Sequence, residues 1–484
     1  MNKPAFAALF LSLSAPPAPA VDLLGVFDLA LQYDPRLHAA QAQRDAALEN
    51  KPQAVARLLP TVSASTGLTR QIVQTGDSPI LAFNAKKNVG FWLATGIVQL
   101  VQPIYQHDLW VRLAQADNAV AEAEALYAAE LQNVMLRVTQ TYFEVLYKEA
   151  SLDFARAELE SINRELEQAN ARFEVGLSAV TDVNEAQAAA DRARAGVIIA
   201  ENELNNAREY LRQIVGDDPG DLEPLKLEVP LEDPMPDDIE RWNDTAQQNA
   251  LTIIAATNRA DRAKQEIEVQ FAGHYPSINL IADTQFYDND RPPRPNRYQQ
   301  QDVGMQINVP LFAGGGVNSR VRQARFGFEA AIQQLDQERR AVRTKVKNAY
   351  RAIRSAIGQA QAFKTAIKSS ESALEAAISG MEVGTRTMTD VLFVQRQYYQ
   401  NKRDFALALR DYIINSVALK EAASVMQRED LDRINGWLQA QAAASAKDKA
   451  GPRQCNRSPG RAAPPAEEAT CSKRPGPAPA NRPR

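Results

Sequence analysis

Between Ile104 and Val175 the chain contains neither proline nor glycine. Strands and turns both need such punctuation, so a run of this length points to helix. Through its second half Leu152, Ala155, Leu159, Ile162, Leu166, Ala169 and Phe173 recur at alternating steps of three and four. That spacing is a coiled-coil seam. At about 1.5 Å per residue an unbroken helix here reaches roughly 100 Å. A second seam runs through Val342, Val346, Ala349, Ile353, Ala356, Ala360, Phe363, Ile367, Ser370, Leu374, Ala377 and Met381, with no proline between Pro310 and Pro452. Alanine and serine on such a seam let two helices approach closely.

The two seams belong to an internal duplication. RFEVGLSAVTDV, from Arg172 to Val183, aligns with GMEVGTRTMTDV, from Gly380 to Val391, placing Gly176 over Gly384 and Asp182 over Asp390 at an offset of 208. Pro103 pairs with Pro310 at 207 and Pro60 with Pro276 at 216. Each half reads strand, strand, long helix, VGxxxxTDV turn, returning helix. A period this long excludes short solenoid repeats.

The strands are read from period-two alternation. DVGMQINVP places Val303, Met305, Ile307 and Val309 on one face and Gly304, Gln306 and Asn308 on the other. SINLIAD from Ser277 puts Ile278, Leu280 and Ala282 on one side, and TVSASTGLTR and NVGFWLATGIVQLVQP behave similarly. Four strands of roughly 10–14 residues are expected, in two hairpin-like pairs. Phe83, Phe91, Trp92, Phe286, Tyr287 and Tyr298 sit in or beside them. Such strands suit an outer-membrane barrel. From the strands alone, an ordinary antiparallel sheet packed on one side fits as well.

Composition narrows the setting. No apolar run approaches the roughly 20 residues of a membrane-spanning helix. Residues 1–20, MNKPAFAALFLSLSAPPAPA, have a basic start, a short apolar stretch and Ala18-Pro19-Ala20, the layout of a secretory signal peptide. The mature protein is therefore expected to leave the cytoplasm. Of the net charge of −4, residues 451–484 carry seven Lys/Arg against two Glu, and with Lys3 in the leader a net −10 is left on residues 21–450. That acidic body argues against nucleic acid as a partner. Both cysteines, Cys455 and Cys471, lie in the basic tail. The expected organisation is a signal peptide over 1–20, a first repeat over 21–215, a Pro/Asp-rich linking segment over 216–242, a second repeat over 243–435 and a disordered tail over 436–484.

Four strands cannot close a membrane barrel, since the smallest use about eight. Strands that enter a bilayer here must come from several copies, a trimer supplying twelve and a dimer eight. The helices leave the strands directly at Pro103–Tyr105 and Pro310–Phe312, so they continue the same ring as a tube. The competing reading is a periplasmic coiled-coil adaptor or scaffold that never spans a membrane. It accounts for the helices and the leader but not for alternating strands in two equivalent positions.

The two-fold repeat, Leu58-Leu59-Pro60, VPLFAGGGVNSRVRQA from Val309 to Ala324, and above all VGTRTMTDVL from Val383 to Leu392 resemble the TolC family of trimeric outer-membrane efflux proteins. The resemblance covers roughly residues 22–430. It implies a mainly α fold with a small β part: a homotrimer whose four strands per protomer form a barrel in outer-membrane lipid, continued by a helical coiled-coil tunnel across the periplasm. It also implies an exit duct for drugs or for type I secreted proteins. The partners so implied are further copies of the chain, a periplasmic adaptor and an inner-membrane transporter. No cofactor is expected.

The tip turns are then Gly176 with Thr181, and Gly384 with Thr389. The glycines reverse the chain and the threonines are expected to cap the returning helices. The resemblance implies that Asp182 and Arg386 lock the closed tip. On the turn sequence alone, a solvated surface pair worth about 0–1 kcal/mol is the favoured reading. In the family two aspartates one helical turn apart constrict the pore; this chain keeps Asp390 and has Phe393 at the second position. An acidic ring stacked on an apolar one is expected, with weaker cation selectivity than two acidic rings would give. The alternative makes Asp390 a helix N-terminal acid and Phe393 a packing residue.

Elsewhere the chemistry is thin. His38, His107 and His274 are scattered, with no Glu or Cys at ligand spacing. Gly314–Gly316 lacks the Lys-Ser/Thr of a phosphate loop and is expected to relieve crowding where strand becomes helix. No nucleophile or paired-carboxylate constellation emerges, so a passive conduit without an enzymatic step is expected.

Overall fold

The computed structural model describes residues 20–74, 88–226, 228–291 and 295–439. Phe83, most of the leader and the cysteine-bearing tail lie outside them. In chain order the first repeat comprises α1 (Leu23–Tyr33), α2 (Pro35–Leu48), α3 (Asn50–Ala56), β1 (Thr61–Gln74), β2 (Asn88–Tyr105), α4 (His107–Glu174) and α5 (Val180–Val215). The second comprises α6 (Ile239–Asn249), α7 (Leu251–Phe271), β3 (Ser277–Asn289), β4 (Asn296–Asn308), α8 (Gly316–Glu382) and α9 (Met388–Ala422), and α10 (Arg428–Asn435) follows.

The punctuation-free run is one helix of 68 residues, and its counterpart α8 has 67. Each extends about 100 Å. Their seams face inward: on α4 Leu152, Ile162 and Ala169 are buried and Ala155, Leu159 and Leu166 half-buried, and on α8 nine of the twelve seam residues from Val342 to Met381 are buried. Phe173 departs from the pattern and is 46% exposed. The returning helices α5 and α9, of 36 and 35 residues, cover only the far half of each long helix. Nearer the strands α7 takes over that face of α4, where Arg259 and Arg262 hold the buried Glu122 carboxylate at 2.8 and 3.2 Å.

The strands form one antiparallel sheet in the order β1-β2-β3-β4, not two separate hairpins, because β2 pairs with β3 across the repeats from Leu93↔Asn289 to Tyr105↔Ile278. β2 is longer than expected at 18 residues and tolerates Pro103 at a register shift near its end. Register sorts the faces. Val62, Leu100, Ala282 and Val303 line up across all four strands, whereas the adjacent row on the opposite face is Ser63, Gln99, Asp283 and Asp302. Apolar and polar side chains are therefore separated in these two rows, whereas elsewhere the faces mix: Phe91, Leu93 and Ile97 share the second face, and Arg70, Asp288 and Arg297 the first. No helix among the described residues is long and apolar enough to cross a membrane.

Two main cores lie along the helices. The larger gathers Phe27 of α1, Val134 to Leu152 of α4, Leu204 to Val215 of α5, Trp242 of α6, Val342 to Ile357 of α8 and Ile413 to Leu419 of α9. The fully buried Tyr142 ties the linking segment to it, its hydroxyl donating to the carbonyls of Val21 and Glu223 at 3.2 and 3.1 Å. Beyond α10, Trp437 and Leu438 still belong to the helical body. Leu438 is buried and forms an isolated antiparallel bridge with Leu225 of the linking segment. The smaller core sits at the far ends of the long helices, built from Ile162, Ala169, Ala186, Ala190, Ala377, Met381, Met388 and Val391.

Candidate functional site

Both long helices end in the same backbone motif. Gly176 and Gly384 hold φ of 75° and 78°, which only glycine adopts without cost. In the first turn Gly176 N donates to Phe173 O at 2.9 Å and Leu177 N to Arg172 O at 2.8 Å. In the second, Gly384 N donates to Met381 O at 3.2 Å and Thr385 N to Gly380 O at 2.8 Å. These are Schellman-type closures at the same repeat offset. They place the turns about 100 Å along the helices from the sheet.

Capping differs from expectation. The N-cap residues are Ala179 and Thr387; Thr181 and Thr389 already lie inside the first helical turns. Thr387 forms a capping box: its Oγ1 accepts from Asp390 N at 3.2 Å, while its N and Oγ1 donate to Asp390 Oδ2 at 3.0 and 2.9 Å. These bonds, the backbone one first, hold the Asp390 carboxyl below the ordinary carboxylate range, with the charge of Arg386 adding to the effect. Ala179 has no such side chain, and Asp182 instead accepts from Ser178 Oγ at 2.6 Å. Thr389 does other work, donating across the repeats to Glu185 of α5.

Asp182 and Arg386 are not brought together within one chain: no ion pair within 4.0 Å joins them among the described residues. Arg386 is exposed, as is Phe393 at 67%, and Asp390 is partly exposed one helical turn before it. Higher up, Arg403 of α9 pairs with Glu158 of α4 at 2.8 Å and Tyr399 OH donates to Ala157 O at 3.2 Å. The two helix pairs are thus tied at several levels above the turns.

A family profile, Outer membrane efflux protein, matches residues 26–217 and 242–424, which is most of the chain. The chain belongs to the outer membrane efflux protein family. Outer membrane protein TolC of Vibrio cholerae is 34% identical over 425 residues, spanning 87% of this chain and 94% of that protein. The proteases secretion protein PrtF of Dickeya chrysanthemi is 26% identical over 450 residues, spanning 91% and 96%. Among solved structures, the Campylobacter jejuni CmeC outer membrane channel superposes with a TM-score of 0.73 at 15% identity, covering 91% of this chain and 98% of that one. This efflux-family protein is therefore an outer-membrane exit duct, and its relatives are channel proteins. The adaptor-or-scaffold alternative falls with that finding.

Several site residues escaped the sequence reading. Thr387 was marked by its T-x-x-D spacing to Asp390, a capping-box signature. Glu185 occupies the position in the first repeat that Phe393 occupies in the second, 208 residues later. Gly314 and Gly315 adopt φ of 61° and 79°, and a Cβ on either would meet no atom within 4 Å, so their role is chain reversal and not relief of crowding. His107 meets Glu268 at 2.9 Å and His274 meets Asn318 at 3.2 Å, both near the sheet end of the helices.

Proposed function

We propose that three copies of this duct close a twelve-stranded barrel in the outer membrane, with α4, α5, α8 and α9 of each copy forming a tunnel whose far end is a gate. One observation carries the reading: a single four-stranded sheet whose two outer strands are each paired on one side only runs straight into helices about 100 Å long. β4 is exposed along its whole length, including Val303, Met305 and Ile307 at 78, 64 and 60%. Pairing β4 of one copy with β1 of the next would satisfy these edges and leave none open.

At the tip, Asp182 of one copy and Arg386 of its neighbour lock the closed state. Among the described residues neither forms an ion pair within 4.0 Å, although Arg386 lies near enough to Asp390 to act on its charge, and this supports a partner on another copy. Three such pairs at about 0.5–1 kcal/mol each total about 2 kcal/mol, roughly thirtyfold in the closed-to-open ratio. Asp390 and Phe393 line the constriction as an acidic ring stacked on an apolar one. A periplasmic adaptor and an inner-membrane transporter dock at the tip and supply the energy, and the conduit itself performs no chemistry. The cargo is drugs, type I secreted protein, or both; the likeness to a proteases secretion protein supports the second class.

Single-channel recording of the purified protein in planar bilayers tests this. Arg386→Ser and Asp182→Ala are expected to raise conductance, and Asp390→Ala to lower cation preference in the reversal potential. Unchanged conductance in both lock variants removes the lock. A protein extracted as a soluble monomer removes the duct assembly.

A further inference from the structure

We infer that Gly380, in the last turn of α8, is a positioning residue for the gate: it is the seat on which Arg386 rests. The inference uses the lock reading of Arg386 given above. A Cβ built on Gly380 would lie 2.8 Å from Arg386 Cγ, 3.4 Å from Arg386 Cβ and 3.2 Å from Thr385 Oγ1. Atoms this near the backbone cannot swing aside as the end of a long side chain can. Arg386 can accommodate a methyl group there only by changing its first rotamer, which redirects the guanidinium.

Backbone conformation does not explain this glycine. Gly380 does not have a positive φ and continues an ordinary helix, where glycine is the weaker helix former. Space does explain it. The Gly380 carbonyl accepts from Thr385 N at 2.8 Å, Thr385 Oγ1 at 3.0 Å and Arg386 N at 3.2 Å, so the turn folds back directly onto this residue.

The first repeat supplies the control. There the same carbonyl position belongs to Arg172, and the position of Arg386 is taken by Ser178. Where the turn residue is small, the helix position is large. Where the turn residue is arginine, the helix position has no side chain. The two positions have been exchanged in size between otherwise equal turns.

The test uses the full-length trimer-forming protein as wild type, Gly380→Ala, Arg386→Ser and the double variant. Two quantities are read: single-channel conductance, and the rate of trypsin cleavage after Arg386 located by mass spectrometry. Gly380→Ala is expected to raise conductance severalfold, toward the Arg386→Ser level, and to speed cleavage at Arg386. In the Arg386→Ser background it is expected to add nothing. An equal conductance gain in both backgrounds, or unchanged cleavage, overturns the seat. If Arg386→Ser leaves conductance unchanged while Gly380→Ala still speeds cleavage, the lock reading falls and the seat stands. Alanine favours helix, so the helical melting midpoint of Gly380→Ala should not drop, which separates displacement of Arg386 from unfolding of the turn.

Discussion

The two tip turns have one backbone and two side-chain programmes. Gly176 and Gly384 adopt nearly the same φ, and the closing hydrogen bonds repeat at an offset of 208 residues. Around that frame the exposed Val175/Val383 and Thr181/Thr389 pairs are kept, but other side chains differ. Ala179 stands against Thr387, Ser178 against Arg386, Arg172 against Gly380, and Glu185 against Phe393. Duplication has kept the glycines that dictate chain reversal and the flanking Val and Thr-Asp-Val residues, while the cap position and the residues at 172/380, 178/386 and 185/393 have diverged. A pore built from two such turns per protomer can keep a fixed scaffold while its lining and its contacts are tuned separately.

The comparison can be broken first at its shared part. Gly176→Ala and Gly384→Ala each force an L-residue into the left-handed region, at about 1–2 kcal/mol. Equal losses, measured as shifts in denaturant unfolding of the helical signal, support one backbone in both turns. A loss confined to one turn means that the frames differ. Next comes the cap. Thr387→Val should cost about 1 kcal/mol, and Ala179→Thr should build the missing cap in the first turn and return a similar amount. No gain from Ala179→Thr would show that Ser178 already meets that helix end through Asp182.

The smallest expected effect is on pH. Because Asp390 is held below the ordinary carboxylate range, it stays ionised as pH falls through that range, and any cation preference it creates is lost only at more acidic pH. Its contribution to folding has the same sign: present above the unfolded value and lost as pH falls through the depressed one. Thr387→Val removes one of the bonds responsible, so the acidic limb of the reversal-potential curve should move toward ordinary carboxylate behaviour. A curve that stays in place would detach Asp390 from the conducting path.

Much of this was legible in the residues alone. The seam from Val342 to Met381 announced its helix because burial repeats at the helical period, and the two VGxxxxTDV segments announced their turns because glycine at that point has no substitute. The pairing of β2 with β3 was not legible, since alternation marks a strand's faces but not its neighbour across 172 residues from Tyr105 to Ser277. The Thr389–Glu185 bond was hidden for a related reason: it depends on how α5 and α9 lie against each other, which neither helix encodes by itself. The cap at Thr387 is written locally, but the threonine two residues later sits in the repeated TDV motif and draws the eye first.

The β2–β3 pairing also sets an order of construction. When β1 and β2 have left the ribosome, the inner edge of β2 has no partner, and none exists until β3 has been made after the whole of α4 and α5. Sheet closure is therefore among the least local contacts in the chain and should be slow. Until then the β1–β2 hairpin carries two open edges, a hazard for aggregation. The strands that finally meet lipid are thus the last to find all their partners, whereas the seam of α4 can begin to pack against α5 before any of the second repeat is made.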